Sequence, residues 1–134
     1  MLGDLGQVFS HLGEFGKAKE YYKKAHKIAV EIGEKGAKAK SYGNLGSLSL
    51  LRCKCTEANE NIRKALELAR NTGVRSLEAF CYHELGLLFQ DLGDFVKAKE
   101  HIEKALTIAM KIGNRKAEAA CYQNLGSVIS RGEN

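Results

Sequence analysis

Proline is missing altogether from these 134 residues. Helix ends must therefore be marked by another residue, and glycine, present 14 times, is the one available. Long apolar runs are missing too: no window approaches the stretch of about 18 residues that a membrane span requires. The opening segment, MLGDLGQVFSHLGEFG, has no basic stretch ahead of an apolar one and no small-residue cleavage site, so no secretory signal is expected and a cytoplasmic location is. Uninterrupted basic blocks do not occur. The net charge of +5 is spread through segments such as KAKEYYKKAHKIAVEIGEK, where lysines alternate with acids. That pattern describes a solvated helix face, not a nucleic-acid stripe. Cysteine is sparse, with Cys53, Cys55, Cys81 and Cys121. Cys53-Lys-Cys55 has no second CxxC-type pair or spaced histidines to complete a zinc set, and buried or turn thiols fit a reducing compartment.

What is present is an ordinary globular composition, 44% hydrophobic and 28% charged, in a length that suits one domain. His83-Glu84 opens like the HExxH helix of a metalloprotease, but the fourth residue after His83 is Leu87, so the second metal ligand is lacking. There is no GxxxxGK phosphate loop, and the four histidines, His11, His26, His83 and His101, fall on different faces or units. Catalysis, metals and cofactors are not expected.

The chain laid against itself at a shift of 40 explains His83-Glu84. Tyr42-Gly-Asn-Leu-Gly46 falls on Tyr82-His-Glu-Leu-Gly86 and on Tyr122-Gln-Asn-Leu-Gly126, and Met1 to Gly6 supply a fourth copy, with Leu2 in the tyrosine slot. The match continues through Ala18, Ala58 and Ala98, through Ala25, Ala65 and Ala105, and through Gly33, Gly73 and Gly113. A strict period of this kind means stacked supersecondary units. His83 and Glu84 thus occupy slots that vary between copies.

Each unit reads as two helices. Tyr82, Leu85, Leu88 and Phe89 recur at the steps of one helical face in the first. In the second, Phe95, Ala98, Ile102, Ala105, Ile108, Ala109 and Ile112 form a stripe opposite lysine and glutamate. Gly93-Asp94 and Gly13-Glu14 turn the chain between helices, and Gly33, Gly73 and Gly113 end the second helices in left-handed caps. Gly6, Gly46, Gly86 and Gly126 lie inside helices, where glycine costs about 1 kcal/mol against alanine. Close approach of a partner helix is expected to offset that, with Ala18, Ala58 and Ala98 facing them. In the second copy Arg52-Cys-Lys-Cys55 replaces Leu-Gly-Glu-Phe, which should loosen that corner.

The recurring Leu-Gly, aromatic and alanine positions resemble the tetratricopeptide repeat over the whole chain. The departures are a period of 40 instead of 34, tyrosine for the first tryptophan, and no closing proline. The phrasing looks most like the 40-residue arrays of the Pins/LGN G-protein signalling modulators. The resemblance implies an all-α, right-handed superhelical solenoid of antiparallel helix pairs, seven helices in all. Its units are 1–34, 35–74 and 75–114, followed by a closing helix over 115–131. A single array cut inside a repeat at both ends is expected to be a piece of a longer one, with the N-terminal helix under-covered.

In such a stack the first helices line the concave surface, which holds extended or helical peptides. The expected function is a protein-interaction module, a signalling adaptor or scaffold that takes a basic or amphipathic segment in that groove. The alternative is a spacer or self-assembling segment that associates through its terminal repeats. The variable slots nominate Asn44, Ser47, Leu51, Phe80, His83, Glu84, Leu87, Asp91, Gln123, Asn124 and Ser127 as groove residues. Leu51, Phe80 and Leu87 form the expected apolar centre, and Asn44 and Asn124 can pair with a peptide backbone. A chaperone-type carboxylate clamp would need lysine and arginine where this chain has Gly3, Gln7, Asn44, Phe80 and Glu84.

Overall fold

The computed structural model describes residues 2–132 of the protein, which form helices joined by tight turns and, among the described residues, no strand. The side chains of Met1, Leu2 and Gly3, to which the tyrosine slot of the first copy and one groove slot belong, lie outside those described. Among the described residues seven helices follow one another: α1 (Leu2–His11), α2 (Phe15–Ile32), α3 (Lys35–Leu51), α4 (Cys55–Thr72), α5 (Arg75–Asp91), α6 (Phe95–Ile112) and α7 (Arg115–Gly132). The expected all-α array of helix pairs is what is seen. The chain gathers into two compact units, Met1–Thr72 and Gly73–Asn134, divided where the third repeat begins.

In the first unit α2 packs on α1 and α3, and α4 packs on α3. Ala18, Tyr22 and Leu48 form a buried cluster edged by Phe9, Phe15 and Leu45, and the Phe9 and Tyr21 rings stack at 5.4 Å. In the second unit α6 lies against both α5 and α7, and α5 also meets α7 directly. Its core is Ala98, Ile102, Ala105, Cys121 and Val128, with Tyr82, Phe89, Phe95, Leu106 and Leu125 around it. The apolar stripe of α6 is buried from Ala98 to Ala109; Phe95 at its start is half-buried, and at its end Ile112 is 40% exposed. Ile112 sits in the last turn beside the Gly113 cap, where the chain has already begun to leave for α7.

Helix spacing within each pair is set by glycine. A Cβ built on Gly86 would collide with Ile102 Cγ1 and stand 3.3 Å from the Ala98 carbonyl oxygen. One on Gly46 would collide with Ile62 and stand 3.5 Å from the Ala58 carbonyl oxygen. The alanines do lie opposite these glycines, through their carbonyls, but the side chain pressed onto each glycine comes from four residues further on. In the first pair that side chain is Tyr22, against Gly6. Gly126 alone of the four has nothing within 4 Å of the place its Cβ would take.

The turn of the second pair departs from expectation. Cys53 takes φ +59°, the left-handed conformation that Gly13 and Gly93 adopt in its register slot at +79° and +80°. The turn hydrogen bonds are kept: Cys53 N donates to the Leu50 carbonyl at 3.0 Å and Lys54 N to that of Ser49 at 2.8 Å, as Gly93 and Asp94 do to Gln90 and Phe89 at 3.1 and 2.9 Å. The corner is therefore not loosened. Replacing glycine leaves the geometry intact and stores strain in a residue with a Cβ.

Two expectations about stability follow from these contacts. Gly86→Ala should lower stability by roughly 1–2 kcal/mol, because overpacking against Ile102 outweighs the gain in helix propensity, whereas Gly126→Ala should raise it by up to about 1 kcal/mol. Urea unfolding of the two variants, measured together, checks the opposite signs. Cys53→Gly should add roughly 0.5–1 kcal/mol, the left-handed strain removed less the entropy glycine costs; an unchanged or lower urea midpoint would contradict it.

Candidate functional site

The first and last helices of the second unit enclose a concavity lined by several of the variable residues. A notch of about 530 Å³ opens between α5 and α7 over Ala105 of α6. Phe80, His83 and Glu84 come from α5, one helical turn apart, so the 3.6-residue period brings them to one side. Ala117, Ala120 and Cys121 come from α7, with Asn114 and Lys116 at its beginning. Phe80 is 37% exposed, so a large apolar ring faces solvent beside a floor of small side chains.

Polar ties cross from α5 to α7. Asn124 Nδ2 donates to His83 Nε2, which makes that nitrogen the acceptor and leaves the ring proton on Nδ1. His83 Nδ1 stands 3.9 Å from Glu84 Oε1. Gln90 Nε2 donates to Ser127 Oγ at 3.2 Å. These bonds fix how far apart the two helices lie, and so the width of the notch.

Of the residues nominated from sequence, Phe80, His83 and Glu84 line the notch, and Asn124 touches it through His83. Leu87 is half-buried, Asp91 and Gln123 are exposed, and Ser127 is engaged with Gln90. Asn44, Ser47 and Leu51 belong to the first unit: Asn44 is half-buried, Ser47 Oγ is buried with no hydrogen-bond partner, and Leu51 is 61% exposed. Sequence reasoning passed over Ala117, Ala120 and Lys116. The signal was present for Ala120, which holds the register slot of Lys40 and Phe80, but a search for polar or bulky groups skips an alanine whose part is to leave room.

Two thiols lie in or under this site. Burial pushes Cys81 up to about 12, with the Glu84 and Glu78 carboxylates adding to it, and burial raises Cys121 as well. Neither is a nucleophile at neutral pH. Among the described residues no three His, Cys, Asp or Glu side chains converge as metal ligands. No helix among them is long and apolar enough to cross a membrane.

The profile of the tetratricopeptide repeat family matches residues 1–71, more than half of the chain, and a second profile of the same description matches 81–112. The chain is a tetratricopeptide repeat protein. Repeats of this family serve as protein-interaction modules and are generally not catalytic. No curated protein matches the chain. Among solved structures it is similar to the crystal structure of BtubC (BKLC) from P. vanneervenii, with a TM-score of 0.84 at 24% identity over 98% of this chain. That likeness is one of fold, and the tetratricopeptide chain spans 55% of the length of that protein.

The burial pattern predicts which thiols react. A thiol reagent at pH 8 should modify the exposed Cys53 and the part-exposed Cys55 quickly and reach Cys81 and Cys121 only after denaturation. Mass spectrometry of native and unfolded samples should show two and four labels respectively; fast native labelling of Cys81 would contradict the core described above.

Proposed function

We propose that this tetratricopeptide repeat protein is an adaptor whose notch between α5 and α7 holds a segment of a partner protein, extended or helical, with an apolar side chain beside a basic one. The observation that carries the reading is Phe80, an exposed ring next to Glu84 above an alanine floor. Exposed aromatic anchors in concave sites supply most of the energy of peptide recognition. Glu84 favours lysine or arginine in the ligand, and the mixed-charge surface elsewhere gives no stripe for nucleic acid. The period of 40, carried by helices of 17 and 18 residues, supports the long-helix type of array seen in the Pins/LGN modulators, and with it a cytoplasmic signalling role.

A second reading rests on a separate observation. Leu5, Val8 and Leu12 of α1 are 44%, 53% and 67% exposed, whereas Leu45 and Leu85, and Leu48 and Leu88, in the slots of Leu5 and Val8, are half-buried or buried. An uncovered face of that kind suits self-association or a spacer role in a larger scaffold.

A positional peptide library screened by calorimetry separates the two readings. The adaptor reading expects a saturable ligand with a basic and an apolar position, weakened about tenfold or more by Phe80→Ala and less by Glu84→Gln. If no peptide saturates, and light scattering shows a dimer that Val8→Asp dissolves, the adaptor reading is wrong and self-assembly takes its place.

A further inference from the structure

We infer that the first unit carries a binding site of its own, separate from the notch of the second, which takes the phosphate of a phosphoserine or phosphothreonine in a partner segment. The site is a cleft of about 240 Å³ flanked by α2, α3 and α4. Lys19 and Lys23 reach it from α2, Ser49 from α3, Arg52 from the turn after α3, and Glu57 and Asn61 from α4. Ser49 is buried, Lys19 and Asn61 are half-buried, and Lys23 and Arg52 are exposed.

The cleft exists because the second copy departs from the other two. In the first copy Phe9 stacks on Tyr21 at 5.4 Å, and in the third Phe89 meets His101 at 5.1 Å. Lys17 and Lys97 lie over those phenylalanine rings, each at 5.5 Å. The second copy fills the same three slots with Ser49, Asn61 and Glu57. The Ser49 hydroxyl donates to the Leu45 carbonyl at 3.0 Å and stands 3.3 Å from Glu57 Oε2. Two rings are thus replaced by short polar side chains that leave space above α3. Arg52 adds a cation at that edge, where the other copies have Leu12 and Leu92.

The charge in this cleft has no counterpart. Lys17 and Lys24 of α2 pair with Glu14 and Glu20 at 3.7 and 3.5 Å, whereas among the described residues Lys19, Lys23 and Arg52 have no ion pair. Glu57 is the one carboxylate of the lining, which leaves an excess of two positive charges. The dianion of a phosphate monoester matches that excess, and a carboxylate meets only half of it. Cations from three separate segments also suit the three terminal oxygens of a phosphate, with the Asn61 amide as a further donor. Size decides what carries the phosphate. Pockets that enclose whole small molecules run from about 300 to 1,000 Å³, so this cleft suits a phosphate with the few atoms beside it, as on a peptide side chain, and not a nucleotide. The second unit does not repeat the site: Glu103, Ile129 and Gly132 hold the slots of Lys23, Ser49 and Arg52.

Amide shifts of the full chain, followed at constant ionic strength, test this. The probes are inorganic phosphate, a blocked alanine pentapeptide with phosphoserine at its centre, and the same peptide unphosphorylated. The phosphopeptide should saturate, with shift changes gathered around Lys19, Lys23, Ser49, Arg52 and Asn61, and should bind more tightly than inorganic phosphate; the unphosphorylated peptide should not saturate. Arg52→Leu, which installs the residue of the other copies, should weaken phosphopeptide binding about tenfold. Glu57→Gln keeps an acceptor for Ser49 and removes the opposing charge, so it should strengthen binding about threefold, a gain that misfolding cannot mimic. Absence of saturation, shift changes spread over lysines elsewhere, or an affinity that Arg52→Leu leaves unchanged or Glu57→Gln lowers would each overturn the proposal. So would inorganic phosphate binding as well as the peptide, or phosphoinositide vesicles binding to the chain without competition from the phosphopeptide.

Discussion

Everything in these two units depends on a helix backbone coming close enough to a neighbour that no Cβ fits between them. At Gly46 and Gly86 the approaching side chain is a branched isoleucine, which is stiff and fills the gap without losing much rotamer freedom. Alanines at 58 and 98 bring the carbonyl side of the second helix into the same patch. The approach costs helix propensity and returns buried apolar area, because it lets Leu85, Leu88 and Ile102 exclude water almost completely. The tight turns follow from the same constraint: two helices this close can be joined only by a sharp corner, which is why a left-handed residue stands at 13, 53 and 93 whether or not it is glycine.

The parts of the fold that this constraint dictates were legible in the sequence. Its period, the helix pairs and the cap glycines are all consequences of packing, and packing repeats because each unit meets the same neighbour. The exceptions have local causes. Ile112 follows the apolar period but falls in a last turn with little left to cover it. Cys53 was read as a lost glycine and a loosened corner, yet the hydrogen bonds of the turn hold the backbone in place and the misfit appears as strain.

The candidate site was less legible, for a physical reason. Groove residues are the ones packing leaves alone, so no period marks them. Phe80, His83 and Glu84 were found because they vary on an otherwise regular helix face. Ala117 and Ala120 were missed because a site is made by absent volume as much as by reactive groups, and an alanine in a helix looks like any other core position. His83 illustrates the ambiguity from the other side. Its pairing with Glu84 suggests metal chemistry on paper, but in the fold its Nε2 is spent on Asn124 of the next first helix.

That bond also indicates how variable residues influence recognition without touching a ligand. His83 with Asn124 and Gln90 with Ser127 tie α5 to α7 at two levels, and neither pair recurs at the corresponding positions of the first unit, where Gly3 matches His83 and Ser10 matches Gln90. In the second unit the spacing of the two first helices is thus tied by side-chain bonds, while the spacing within the pairs is set through glycine. A solenoid built this way keeps one rigid interface common to all units and leaves the other adjustable. Changing a single polar pair would widen or narrow one notch and spare the rest, which makes the register slots of His83 and Asn124 positions where specificity can change at little cost to the fold.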